Sequence, residues 1–387
     1  MLRRFLISLA FLLGTVCASA QWYLFPGSGH TVDSAAVSAL QVDTVTVEEP
    51  SAFDGVRTAV LLPLRSRGNA SANFLEFYAG VLLAARDLAA GGTRVLLDVV
   101  DIVDDSLMAS SAILDSSDVI IGPVSVPDIS RYSIFCPSGR CMVSPLDPKA
   151  VDLMDVCNLI QAPASWESQI DELVSWLGSE KAVSDSVILL QNDMEEGGEM
   201  APYLVSRLNE SGIPYTISGD PAAIQLPVGG CGRFLLVSDN DSFCANCVRE
   251  IGLRAVKEEN VTVYGISRLR SISEIEAASL HVCGARITAG YFVDQNDPKV
   301  RSFYQDYLAM FHAEPGSFAY QGYDLTTYFV SLSAMYGRGW ELYLTDHPWS
   351  GLHTSFRFDD AVRAGRVNTA VRRLRYRDDN SITIESR

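Results

Sequence analysis

From residue 57 onward, short apolar runs alternate with stretches whose apolar positions recur at helical spacing. This alternation predicts strands separated by single helices. Strands are predicted over 58–64, 94–103, 119–121 and 142–143, with helices over 73–88 and 108–114. In the first helix Phe74, Phe77, Val81, Leu82 and Ala85 share one face, and Gly91-Gly92 stops it. Residues 158–163 read as a crossover, after which the same rhythm restarts. Helices over 166–177, 199–210 and 243–253 then alternate with strands over 186–191, 232–238 and 261–266. Around 289–293 the chain crosses back into helices over 300–311 and 319–335. An alternating tail (354–358, 367–377, 381–385) returns to the second unit. Such an order implies parallel sheets with right-handed crossovers. It divides the chain into lobe one, 56–161 plus 291–339, and lobe two, 162–290 plus 340–387.

The segment 117–150 carries the most chemistry. The apolar run Val119 to Ile121 enters Gly122-Pro123 and then Ser125, ahead of a short helical stretch; the strand at Met142 and Val143 ends in Ser144-Pro145-Leu146-Asp147-Pro148. Two successive strands thus end in hydroxyl-bearing turns beside a helix start. In an open α/β sheet the carboxyl ends of the strands are where small ligands sit, and a helix N-terminus offers free N–H groups to an anion.

This pattern resembles the type I periplasmic binding proteins, the family of branched-chain amino-acid binding proteins. The resemblance is carried by Val60-Leu61-Leu62-Pro63-Leu64, Glu76-Phe77-Tyr78-Ala79-Gly80, Ile121-Gly122-Pro123-Val124-Ser125, Val143-Ser144-Pro145, Gly290-Tyr291-Phe292-Val293-Asp294 and Tyr320-Gln321-Gly322-Tyr323-Asp324. It implies two Rossmann-like lobes joined by three crossovers around a central cleft, a substrate-binding protein of an ABC transporter, no catalysis and no cofactor. Carried over by residue, it assigns Ser125, Ser144, Leu146 and Asp147 to a ligand carboxylate and Asn73 to the cover of the ligand. On lobe two it points to Asn192 and to the turn around Gly265 and Ser267. Asp147 has a second reading, as the cap of a helix, because a carboxylate in that place repels an amino-acid ligand.

Composition narrows the partners. The 387-residue chain has a formal net charge of −17, a surface that repels nucleic acid and anionic membranes at long range. Residues 1–20 read as a secretory signal: Arg3-Arg4, an apolar stretch from Phe5 to Val16 too short to span a bilayer, then Ala18-Ser19-Ala20. Gly14-Thr15-Val16 before Cys17 lacks the pattern of a lipid anchor. Residues 21–55 read as an N-terminal arm. Export to an oxidising compartment such as the periplasm makes disulfides the expected state of Cys136, Cys141, Cys231, Cys244, Cys247 and Cys283, with Cys157 left over. A zinc site on Cys244-Ala245-Asn246-Cys247 would need Cys231 and Cys283 as well.

No nucleophile elbow, zincin, P-loop or dinucleotide motif is present, and His30, His281, His312, His347 and His353 show no ligand spacing. The acidic run Asp193, Glu195 and Glu196 reads as a solvated loop. Arg363, Arg366, Arg372, Arg373, Arg375 and Arg377 read as the charged outer face of a strand. The expected function is therefore an exported protein holding a small polar ligand between two lobes, serving an inner-membrane permease or an envelope protein. The rival is an envelope scaffold that reuses the fold, for example in peptidoglycan or outer-membrane assembly.

Overall fold

The computed structural model describes residues 54–66, 69–103, 107–137, 140–153, 158–192, 198–257, 259–359 and 365–385. The signal (1–20), nearly all of the arm, Cys157, Arg363 and the acidic run at Asp193, Glu195 and Glu196 lie outside them.

Lobe one is built on a parallel sheet of β1 (Val56–Leu62), β4 (Val95–Asp101), β5 (Val119–Ile121), β6 (Met142–Ser144), β7 (Leu159–Gln161) and β15 (Arg366–Val367), in the order β4-β1-β5-β6-β7-β15. Two short hairpins decorate it, β2 (Arg65–Ser66) with β3 (Asn69–Ala70) and β13 (Trp349–Ser350) with β14 (Ser355–Phe356). Lobe two carries β8 (Ser186–Leu190), β9 (Thr216–Ser218), β10 (Gly232–Leu236), β11 (Val261–Ile266), β12 (Arg286–Ala289), β16 (Arg372–Tyr376) and β17 (Ile382–Glu385) in the order β9-β8-β10-β11-β12-β16-β17. Its first five strands are parallel; β16 and β17 run antiparallel at one edge.

Each central strand is buried on both faces, which is why it reads as a continuous apolar run. Leu61, Ile120, Met142 and Leu159 face the helix Val126–Ser133, whereas Val60, Ile121, Val143 and Ile160 face the helices Ala72–Ala90 and Ser317–Tyr336. Those two long helices cross closely. A Cβ at Gly80 would lie 2.0 Å from the Ala319 carbonyl oxygen, and one at Gly322 would lie 2.1 Å from that of Phe77, so only glycine fits either position. The first helix is buried around more of its circumference than its predicted stripe, since Leu75, Leu83 and Ala84 are also inside. In lobe two, Val187, Leu189 and Leu235 pack on the helix Trp166–Glu180, and Ile188, Phe234 and Val263 on the helix Asp241–Val256.

The tail corrects the sequence reading, which gave all of 340–387 to lobe two. Trp340, Leu344, Phe356 and Phe358 join the lobe-one core, and β15 pairs with β7. The chain enters lobe two only after Asn368. This buried side chain donates to the carbonyls of Ala162 and Ser355 (both 2.8 Å) and accepts from the N–H groups of Arg357 and Ala370. Nor are the arginines of β16 an outer charged face, although Arg377 just beyond it is exposed. Arg372 and Arg373 are buried, and Arg375 pairs with Glu180 and Glu385. β9, β12 and the helix Ala277–Val282 were not anticipated.

The expected disulfides are absent: no disulfide joins the described cysteines. Cys244 and Cys247 both face the lobe-two core, with the Cys244 Sγ 3.8 Å from the Ser238 carbonyl oxygen. The Cys283 Sγ lies 3.4 Å from the Val248 carbonyl oxygen, and the Cys231 Sγ 3.7 Å from the Thr262 hydroxyl. Burial pushes the Cys247 and Cys283 thiols up to about 12, which suppresses the reactive thiolate. The Cys136 Sγ is directed to the Arg140 carbonyl, 3.7 Å away. Among the described residues no group of three or more His, Cys, Asp or Glu side chains is placed to hold a metal ion.

Candidate functional site

All three crossovers leave from carboxyl ends of strands: after β7, after β12 and after β15, with Arg372 at the start of β16 opposite Ala289 at the end of β12. The carboxyl edges of the two sheets are therefore the edges the crossovers connect.

On the lobe-one edge, Ser125 caps the helix Val126–Ser133. Its hydroxyl accepts from the Asp128 N–H (3.3 Å) and donates to the Asp128 carboxylate (2.6 Å). Asp147 reaches over from the next loop. Its Oδ2 accepts from the Val126 N–H (3.2 Å) and its Oδ1 from the Lys149 N–H (2.9 Å). Asp147 is thus a cap, as its second reading held, but for the helix of the neighbouring loop. Pro127 brings no N–H, and the Ile129 N–H donates to the Ser125 carbonyl (2.8 Å). The donors of the first helical turn are all engaged within the chain.

Ser144, the last residue of β6, is fully buried and its hydroxyl has no partner. Leu146 is half-buried in the same loop, whose Pro145 carbonyl accepts from the Gln321 side-chain amide at 2.6 Å. Asn73 stands apart, exposed in the first turn of the helix Ala72–Ala90.

On the lobe-two edge, Asn192 follows β8, and Ser267 opens a 3₁₀ turn after β11, its N–H held by the Gln169 side-chain oxygen at 3.1 Å. Gly265 does not reach the edge. It lies inside β11, where a Cβ would come within 2.3 Å of Leu269 Cδ1 and 3.0 Å of the Leu236 carbonyl oxygen. Its absent side chain serves packing. A cavity of about 240 Å³ opens beside the ends of β8 and β10, lined in part by Gln191, Met200, Val237, Ser238 and Asp239. The Arg268 guanidinium spans the neighbouring turn, bonded to the Asp239 carbonyl and the Asp241 carboxylate, both at 2.7 Å.

Asp128, Gln169, Gln321, Ser238 and Asp239 escaped the sequence reading. Asp128 alone had a local signal, the Ser-x-x-Asp spacing of a helix start. The others depend on contacts distant in sequence.

At the level of sequence no protein-family profile and no curated protein matches the chain. Solved structures do resemble it. One is a protein described as a branched-chain amino acid ABC transporter from Rhodospirillum rubrum (17% identity, TM-score 0.59, covering 86% of this chain and 100% of that one). Another is a branched-chain amino acid ABC transporter periplasmic ligand-binding protein from Burkholderia xenovorans (14%, 0.54, 86% and 94%). A third is the C-domain of LpoA from Haemophilus influenzae, a regulator of PBP1A (14%, 0.51, 85% and 100%). The chain has the type I periplasmic binding fold.

Proposed function

We propose that this chain is an exported, non-catalytic binding protein that holds a small polar ligand between the carboxyl edges of its two sheets. The observation that carries this reading is the placement of Ser125, Ser144 and Asp147 on one connected edge and of the cavity beside Gln191, Ser238 and Asp239 on the other. Ligands of open α/β sheets bind at such edges. The apolar segment at 5–16 and the lack, among the described residues, of a helix long and apolar enough to cross a membrane support export to the periplasm. A thermal-shift screen of polar metabolites tests it: a hit on the wild type should be lost in the Ser125→Ala/Ser144→Ala double variant. A folded wild type that responds to nothing in a broad screen rejects it.

A second reading, an envelope scaffold, is favoured by the engaged hydroxyl of Ser125 and by the likeness to a domain whose parent protein regulates PBP1A. Its test is capture of the same envelope protein by the wild type and by the double variant. Capture lost with the cleft serines argues against it.

A further inference from the structure

We propose that Asp147 is a tethered stand-in for a ligand carboxylate: it occupies the lobe-one anion site and bars solutes that lead with a carboxylate, leaving that wall to a neutral or cationic end. This rests on the cleft-binding reading above.

The first argument is an accounting of donors. A helix N-terminus receives an anion through N–H groups that lack partners. Here the Val126 N–H is given to Asp147 Oδ2, the Asp128 N–H to the Ser125 hydroxyl and the Ile129 N–H to the Ser125 carbonyl, while Pro127 has none. The Ser125 hydroxyl hydrogen is itself spent on Asp128. A ligand carboxylate arriving here would find no free donor in the turn and would face the charge of Asp147.

The second argument is the geometry of the stand-in. Asp147 is held from both sides, Oδ2 by the helix terminus and Oδ1 by the Lys149 N–H. It therefore presents a fixed carboxylate in place of a mobile side chain. The third is Ser144. Its register puts it on the Met142 face of β6, and Met142 shares a core cluster with Ile129 and Tyr132 of the same helix. Its hydroxyl is fully buried and unpartnered, a polar group that the chain leaves for something else to satisfy.

The probe is sodium acetate, read at the Val126 backbone amide by NMR on the full chain. The wild-type signal should not move, whereas Asp147→Ala should give a saturable shift. Asp147→Asn keeps the acceptor oxygen and the fold, and should stay unresponsive while lowering discrimination between L-leucine and L-leucinamide in thermal shift. A wild type that responds to acetate like Asp147→Ala overturns the proposal, and so does a folded Asp147→Ala that stays silent. The cleft reading fails separately: if acetate behaves as expected but no neutral or cationic solute shifts the wild type, Asp147 fills the terminus of a helix that serves no ligand.

Discussion

Asp324 and Arg372 grip the same loop from opposite lobes. The fully buried Asp324 carboxylate, on the lobe-one helix Ser317–Tyr336, accepts from the N–H groups of Leu352, His353 and Thr354 at 2.8–2.9 Å. Arg372, the first residue of β16, donates to the carbonyls of Gly351 (2.6 Å) and Phe292 (2.7 Å), and at longer range to those of Leu352 and Thr354. The loop's donors point to one lobe and its acceptors to the other. The end of the third crossover, at Arg372, is thereby tied to a hairpin of lobe one.

Arg372→Ala should strip several buried carbonyls of their partner. Unpaired buried polar groups cost about 1–3 kcal/mol each, so a loss of roughly 3 kcal/mol or more is expected in urea unfolding. Arg372→Lys should recover only part of it, because one ammonium cannot reproduce the forked guanidinium.

Burial raises the Asp324 carboxyl to about 6, more than the three N–H bonds and Arg372 lower it. The adjacent His353, stacked on Tyr291, is held down near 3 and stays neutral over the same range. A carboxyl raised in the folded state binds its proton more tightly there than in the unfolded chain. Its contribution is complete below the ordinary carboxyl range near 4 and is lost as the pH rises through about 6. Stability contributed by this group should therefore fall from pH 4 to pH 6.5. Comparing unfolding midpoints of the wild type and Asp324→Asn across that window isolates it from Glu180 and Asp185, whose lowered values give the opposite slope.

Glu172 and Arg373 form a buried inter-element pair in lobe two, 2.7 Å apart, with the guanidinium 5.6 Å from the Trp176 ring centre. Breaking such a pair on one side leaves an uncompensated charge and costs about 3–5 kcal/mol. Arg373→Met should lose that much, and Glu172→Leu/Arg373→Met should regain most of it. A double-mutant cycle in chemical unfolding reads the coupling directly.

The crossing of the two long lobe-one helices leaves no room at its centre. Gly322→Ala should force the backbones apart and cost about 1–3 kcal/mol or more, as overpacked cores do. Gly91→Ala, whose Cβ meets only carbonyls of its own helix end at 3.3 and 3.6 Å, should cost far less. Thermal unfolding of the two variants makes the comparison.

The alternation of apolar runs was enough to place most of both sheets, because parallel strands buried on both faces cannot be written otherwise. β11 was legible to the residue, and the helix start at Ser125 came with its own spacing signal. The tail was not legible. β15 is two residues long, and its period of two is the same whichever sheet accepts it. What sends it to lobe one is the pairing with β7 and the four bonds of Asn368, none of which leaves a local mark. The arginines of β16 looked solvated because charge normally is, and their partners Glu172 and Glu180 lie far upstream. Asp147 was recognised as chemistry, but which helix it served depended on the distance between two loops.

The split of the tail bears on how the molecule is made and how it can be cut. Lobe one waits for β15 to take its place beside β7, and lobe two waits for β16 to lie against β12. A ribosome must therefore translate past residue 367 before the lobe-one sheet has its last strand, and past residue 385 before β17 completes that of lobe two. No single proteolytic nick releases a complete half, and a recombinant fragment ending at 339 would carry two unfinished domains.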